Sequence, residues 1–212
     1  LYIRSFPGGA SPTSYCRELS LDRAVATTRF KVGNTACERE YFTSHPDGVL
    51  VIRLKADRPR SLSFDLGFGS QLKHRIRIDG DRLIAFGVAP AGDRTHYRPG
   101  RDDAADFSGD RGIRFAVVYT IASTDGRRAS DRDGIGVRAA RAAVILVSVA
   151  TSFNGFDRDP ATEGADCLSE AEIRIEEARR RSCGDLLRRH TSDYRALFDR
   201  FDLRLGDGSG PD

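Results

Sequence analysis

The stretch "TTRFKVGNTACEREYF", residues 27–42, decides how the rest of the chain is read. Apolar and polar residues alternate on both sides of Gly33-Asn34. A period of two is the mark of a half-buried strand, and a two-residue Gly/Asn loop between two such runs closes a tight hairpin of primed turn type. A loop of that length fixes the register: Val32 stands opposite Thr35, Phe30 opposite Cys37 and Arg29 opposite Glu38. Phe30, Val32, Cys37 and Tyr41 then share one face. Arg29, Lys31, Glu38 and Glu40 share the other, with opposite charges facing each other across the strands. One face is expected to meet a core and the other water, as antiparallel sheets commonly do.

The same period runs outward from this hairpin. In "VLVIRLKA" (49–56) Leu50, Ile52 and Leu54 point one way, and in "SLSFDLGF" (61–68) Leu62, Phe64, Leu66 and Phe68 do the same. Asp57, Pro59 and Arg60 mark a turn between the two. "HRIRIDGDRLIAF" (74–86) reads as a second hairpin, around Asp79-Gly80. "IRFAVVYTI" (113–121) sets Ile113, Phe115, Val117, Tyr119 and Ile121 on one side. "GIGVRA" and "AAVILVSVATSF" follow, the last apolar on both faces. Many short antiparallel strands separated by turn signals predict a mainly β chain built as a sandwich. Residues 89–112 form a polar connection too long for a turn, carrying His96 and Tyr97; it either reaches a ligand site or is mobile.

Past Pro160 the period changes to that of a helix. Ser169 with Glu172 makes a capping-box pattern, and Leu168, Ala171, Ile175 and Ala178 follow at helical spacing. Glu170/Arg174, Glu176/Arg180 and Glu177/Arg181 are pairs four residues apart in the favourable orientation. Ser182 with Asp185 repeats the cap, after which Leu187, His190, Tyr194 and Leu197 line one face of a second helix. "FDLRLG" (201–206) alternates like a further strand and leads into a Gly/Pro/Asp loop.

Composition narrows the function classes. The 212 residues suffice for a core without disulfide staples, and the four cysteines form no C-x-x-C pair, so they predict free and mostly buried thiols and no metal site. Charge is high at 31% but nearly balanced at +3, with acids and bases interleaved. Such faces are solvated; nucleic acid selects a concentrated basic patch, so no nucleic-acid partner is expected. The longest apolar run, "AAVILVSVA" (142–150), has the length of a strand and not of a membrane span, so no membrane partner is expected either. Catalytic motifs of the G-x-S-x-G, Walker A and H-E-x-x-H types are missing from the sequence. His190, on an apolar helix face, reads as a packing histidine. Asp157 and Asp159 lie before Pro160 in "FDRDP", where Asp favours local backbone bonding. "ATSFNGFDRDP" (150–160) reads either as a strand end with an Asn-Gly turn or as a polar rim beside an aromatic, suited to sugar contact.

In chain order, four segments resemble glycoside hydrolase family 95, the inverting α-L-fucosidases. They are "YCRELSLDRAVATTRFKVGNTACEREYFTSHPDGVLVIRL" (15–54), "GDRGIRFAVVY" (109–119), "VATSFNGFD" (149–157) and "RRHTSDYRALFDRFDLRLG" (188–206). "LYIRSF" (1–6) is similar to the family strand before the first of these. The resemblance implies an N-terminal β-sandwich, linker helices and a catalytic α/α barrel. On this chain residues 1–160 would be the later part of the sandwich, 161–200 the helical linker, and 201–212 a strand and loop leading toward the barrel. The family's earliest segment has no counterpart in this sequence, so the sandwich is expected to expose apolar strand edges. Inverting hydrolysis needs a general acid and a base that activates water. The resemblance places both in the barrel, so it assigns no catalytic residue, no metal and no cofactor here. It implies two partners: the barrel, and a fucosylated glycan held by the parent enzyme. His96, Tyr97 and Asn154 are the candidates for contacts at the substrate rim. Secreted, periplasmic and cell-surface locations are all compatible with it. Two other readings remain. One is a free-standing carbohydrate-binding sandwich, against which the helical tail and the lack of Trp both argue. The other is an α-L-galactosidase, whose sugar differs by one hydroxyl.

Overall fold

The computed structural model describes residues 1–5, 11–90, 112–131 and 134–203. In chain order the strands are β1 (Tyr2–Ser5), β2 (Thr13–Ser20), β3 (Val25–Val32), β4 (Thr35–Ser44), β5 (Val49–Ala56), β6 (Leu62–Gly67), β7 (Lys73–Asp79), β8 (Arg82–Val88), β9 (Arg114–Thr124), β10 (Arg127–Ser130), β11 (Ile135–Ala140) and β12 (Ala142–Thr151). Helices α1 (Cys167–Arg179) and α2 (Cys183–Phe198) follow. Eight strands form one antiparallel sheet in the order β2-β3-β4-β5-β12-β9-β8-β7, and four form a second in the order β1-β6-β11-β10. The small sheet packs on one face of the large one, and the helices cover part of the other. The mainly β sandwich followed by two helices is therefore as the sequence predicts.

β12 sits in the middle of the large sheet and is apolar on both sides because both sides are covered. Val144, Leu146 and Ala150 face the helices, with Val51, Ile84 and Val118. Ala143, Ile145 and Val147 face the small sheet, with Ile52, Leu54, Tyr119 and Ile121. From the small sheet Phe64, Leu66, Ile135 and Val137 close this second core.

The β3–β4 hairpin has the expected register, with Val32, Phe30 and Arg29 opposite Thr35, Cys37 and Glu38. Gly33 has φ of +56° while Asn34 stays at negative φ, the sign pattern of a type II′ turn. A Cβ at Gly33 meets no neighbour, so Gly33→Ala is expected to cost about 1 kcal/mol through backbone strain alone, read as a shift in the urea midpoint. On the wet face Arg29 Nε reaches Glu38 at 2.9 Å and Arg29 Nη1 reaches Glu18 at 3.1 Å, while Arg53 pairs with Glu40 at 2.9 Å. The other face is only partly enclosed. Eight strands extend past four, so Phe30, Val32 and Cys37 line an open cleft of about 490 Å³ with Ile3, Leu54 and Leu62. Within it the Arg39 guanidinium lies 5.0 Å over the Phe30 ring and donates to Ser5 Oγ at 3.1 Å. The edge strand β2 is exposed over nearly its whole length, Tyr15 and Leu19 included.

The turn marked by Asp57, Pro59 and Arg60 is present, and it carries the chain from the large sheet to the small one, with Arg60 at φ +59°. Several local expectations need correction. The β7–β8 loop is Gly80-Asp81, one residue later than the sequence suggests, since Asp79 pairs with Arg82. α1 is capped by Asp166, whose carboxylate accepts from Ser169 N at 3.1 Å and Ser169 Oγ at 2.7 Å; Ser169 is thus inside the first turn. Glu170 does pair with Arg174, but Glu176 pairs with Arg179 at 3.3 Å, and Arg181 donates to the Glu177 carbonyl at 2.8 Å. The α2 capping box of Ser182 and Asp185 is present. Its buried residues are Leu186 and His190; Leu187 and Tyr194 are half-buried and Leu197 is exposed. Residues 201–203 are in no strand, and the remainder of "FDLRLG" lies outside the described residues. The four thiols are free, but Cys16 is exposed. Burial pushes the thiols of Cys37, Cys167 and Cys183 up, which keeps them protonated and unreactive.

The caps give a pH prediction. The Ser169 hydroxyl holds the Asp166 carboxyl, and the Ser182 hydroxyl the Asp185 carboxyl, below the ordinary value of 3.8. A depressed folded value stabilises the helices above the unfolded value and is lost as pH falls through the folded one. Helical circular dichroism is therefore expected to stay level from neutral pH to about 4 and to decline below it.

Candidate functional site

Two surfaces stand out once the layers are in place. The first is the loop from Ser152 to Ala165, between β12 and α1. Its ends are joined by Ala165 N donating to Ser152 O at 3.1 Å, and it is tied across by Asn154 Nδ2 donating to Glu163 O at 2.8 Å. Asp159 accepts from Ala161 N at 2.8 Å, the local backbone bonding its position predicts. A short loop with closed ends and internal bonds is a compact Ω-loop. It holds Phe153 and Phe156 outward, the latter 97% exposed.

Asn154, a candidate for sugar contact, thus spends an amide hydrogen on its own loop. Asn154→Ala is expected to lower stability by about 1 kcal/mol in thermal unfolding, the worth of one such bond. The other two candidates, His96 and Tyr97, lie outside the described residues. The described flanks of the stretch that carries them, Ala89 and Ile113, pair with each other next to Arg114, which bonds Ser152 at the start of the Ω-loop. Ala89 N donates to Ile113 O at 2.9 Å, Arg114 N to Ser152 Oγ at 2.9 Å, and Ser152 N to Arg114 O at 2.8 Å. The fold therefore brings the roots of both candidate segments to one end of the sheet.

The second surface is where α2 ends. Leu197, Phe198, Phe201 and Leu203 are exposed. The Tyr194 hydroxyl donates to Leu21 O at 2.6 Å, which brings exposed Leu19 and Leu21 alongside. An apolar surface of this kind marks a place of contact more often than bare solvent. Behind it, the helices are pinned to the β4–β5 turn by Asp47, whose side chain is 2% exposed. Asp47 accepts from Ser44 Oγ at 2.6 Å and from Arg189 Nε at 2.9 Å, and lies 3.7 Å from Arg181 Nε. Sequence reading passed over Asp47, because an Asp before Gly in a turn reads as local bonding. Its arginine partners, Arg181 and Arg189, are far away in the chain, and no local signal points to them.

A general acid needs a raised pKa. Hydrogen bonds instead hold the carboxyls of Asp22, Asp125, Asp166 and Asp185 below their ordinary value, from the Ser20, Ser169 and Ser182 hydroxyls for Asp22, Asp166 and Asp185 and from the Ala142 and Arg141 backbone for Asp125. Asp81 pairs with Arg179 at 2.9 Å and Arg128 at 3.5 Å, and Asp65 pairs with Arg138 at 2.6 Å. His45 lies 3.3 Å from Asp193 at the surface, and His74 bonds Leu72 O at 2.7 Å. Among the described residues no three of His, Cys, Asp and Glu are grouped to hold a metal, and no helix is long and apolar enough to cross a membrane.

Comparison with known proteins places this geometry. Residues 1–155 match the family model described as "Glycosyl hydrolase family 65, N-terminal domain". "Alpha-L-fucosidase 2" of Arabidopsis thaliana is 31% identical over 202 residues, covering 92% of this chain and 24% of that protein. "Probable alpha-fucosidase A" of Aspergillus niger is 24% identical over 211 residues, with the same coverage of 92% and 24%. The chain thus spans about a quarter of the length of the curated relatives it matches. Among solved structures, "Putative kojibiose phosphorylase from human microbiome" has a TM-score of 0.61 at 9% identity, over 92% of this chain and 27% of that one. That likeness shows a shared fold. The family model carries the number 65 where the sequence resemblance is to family 95, and the two agree that this is an N-terminal part of a glycoside hydrolase. This chain, a β-sandwich with a helical layer matched by the family model over residues 1–155, belongs to the glycosyl hydrolase family 65 N-terminal domain family.

Proposed function

We propose that this chain is the non-catalytic N-terminal portion of an α-L-fucosidase-type glycoside hydrolase, and that it packs against and supports a catalytic domain carried elsewhere in the polypeptide. The apolar surface at the end of α2 carries the reading. Leu197, Phe198, Phe201 and Leu203 are bare at the point where the chain leaves the helix, so whatever follows is tethered beside them. The names of the two curated relatives support the fucosyl class, and the sequence resemblance supports an α/α barrel as the partner. α-L-galactose remains the alternative sugar, since the one-hydroxyl difference would be read in a pocket of the partner. The fucosylated glycan is then a ligand of the whole enzyme, with His96 and Tyr97 as this chain's candidates for rim contact.

One observation favours a second reading, a free-standing carbohydrate-binding module: Phe153 and Phe156 are held outward on a closed loop, where an aromatic ring can meet a sugar face. Calorimetric titration of the 212-residue chain with α-L-fucosyl and α-L-galactosyl oligosaccharides separates the two. The support role predicts no binding below millimolar concentration. Micromolar binding lost in Phe156→Ser would make it a module.

A further inference from the structure

The β2–β3 turn, residues 21–24, offers four successive carbonyl groups to one side of α2. Tyr194 Oη donates to Leu21 O at 2.6 Å, and Arg195 Nε donates to Asp22 O at 3.1 Å. His190 Nε2 lies 2.9 Å from Arg23 O and 3.2 Å from Ala24 O. Carbonyl oxygens only accept, so the imidazole carries a hydrogen on Nε2 and shares it between the pair. Arg195 Nη2 also reaches the Asp22 carboxylate at 3.3 Å. Within the turn Ala24 holds φ of +48°, a conformation that a residue with a Cβ keeps only where its surroundings impose it.

The two helices are held differently. α1 buries Cys167, Ala171, Ile175 and Ala178 against β9 and β12. α2 buries only Leu186 and His190, and Leu186 belongs to its first turns. From His190 onward the contacts with the sandwich are mostly polar. The histidine ring lies tilted 5.1 Å from Phe42 and stacks 6.3 Å from Tyr194, which in turn stacks 5.1 Å from Phe198. Two segments far apart in the chain, "LDRA" (21–24) and "HTSDYR" (190–195), thereby form one contact.

We propose that the second half of α2 is a latched arm, held on the turn carbonyls by His190, Tyr194 and Arg195, and able to release as a unit while the sandwich and α1 stay folded. Closed, the latch fixes the direction in which the chain leaves after Phe198. The inference stands apart from the proposed catalytic partner and needs only the 212-residue chain for its test.

Hydrogen exchange followed by mass spectrometry compares wild type with Tyr194→Phe, His190→Leu and His190→Gln. Tyr194→Phe keeps the ring stack and removes one donor, so amides of residues 190–199 are expected to exchange about fivefold faster. His190→Leu keeps the apolar bulk and strips two carbonyls of their donor, for more than about a tenfold increase. His190→Gln restores a donor and is expected to fall between His190→Leu and wild type. Amides of α1 and β12 are expected to stay within about twofold of wild type in Tyr194→Phe. The proposal is overturned by unchanged exchange over 190–199 in Tyr194→Phe, which keeps the test valid even where the histidine variants do not fold. It is equally overturned by α1 and β12 accelerating by the same factor, since there would then be no separable arm.

Discussion

Replacing Ile175 with Ala is expected to lower the unfolding free energy of the whole sandwich by about 3 kcal/mol, as large core truncations do. Ile175 is wholly buried on α1, in one cluster with Val118, Val144 and Leu146 of the large sheet. The cavity would lie between helix and sheet, so the loss belongs to both. Urea unfolding of a Tyr194→Phe background, followed by the near-ultraviolet signal of the remaining tyrosines, reads it, because fully buried Tyr119 lies on the opposite face of the sheet and no described tyrosine is then left on the helices. Leu146→Ala, on the sheet side of the same core, is expected to cost a similar amount, within the roughly 2–5 kcal/mol range for such changes. A midpoint unmoved by Ile175→Ala would mean that α1 is a tail melting independently.

The second large effect is expected at Asp47. Asp47→Ala removes the acceptor of the buried Ser44 hydroxyl and the counter-charge of Arg189 and Arg181 together. Truncating one partner of a fully buried pair costs about 3–5 kcal/mol, but these arginines are 37–43% exposed and water offsets part of the loss. About 2 kcal/mol remains, measured by the same urea titration. Asp47→Asn keeps an acceptor for Ser44 and is expected to lose about half as much. Equal losses in the two variants would show that charge, and not the hydroxyl contact, holds the turn to the helices.

What could be read in the sequence follows from how far each signal reaches. The β3–β4 register was legible because a two-residue loop leaves one pairing, and the double-sided burial of β12 because both faces of the strand are apolar. The split into sheets was not. Alternation in 49–56 and 61–68 is the same whether the link folds back within a sheet or crosses between two, so it does not assign the two strands to sheets. The α1 cap was misplaced because both Asp166 and Ser169 are capping residues, and the tertiary start of the helix chose the ionised one. The α2 face was displaced for a similar reason. A turn that offers carbonyls draws His190, Tyr194 and Arg195 toward it, and a hydrophobic period contains no record of such acceptors. Asn154 shows the limit at the candidate site: the sequence marks a polar side chain at a strand end, and only the position of the Glu163 carbonyl decides what it does.

The most direct test of the central claim is a hydrolysis assay on α-L-fucosyl and α-L-galactosyl substrates. It would use the 212-residue chain alone, and then the complete polypeptide encoded at the same locus. The account predicts no turnover by the chain alone and turnover by a longer polypeptide that continues into a catalytic domain. Hydrolysis by the 212 residues themselves, or a locus encoding no catalytic domain, would contradict it.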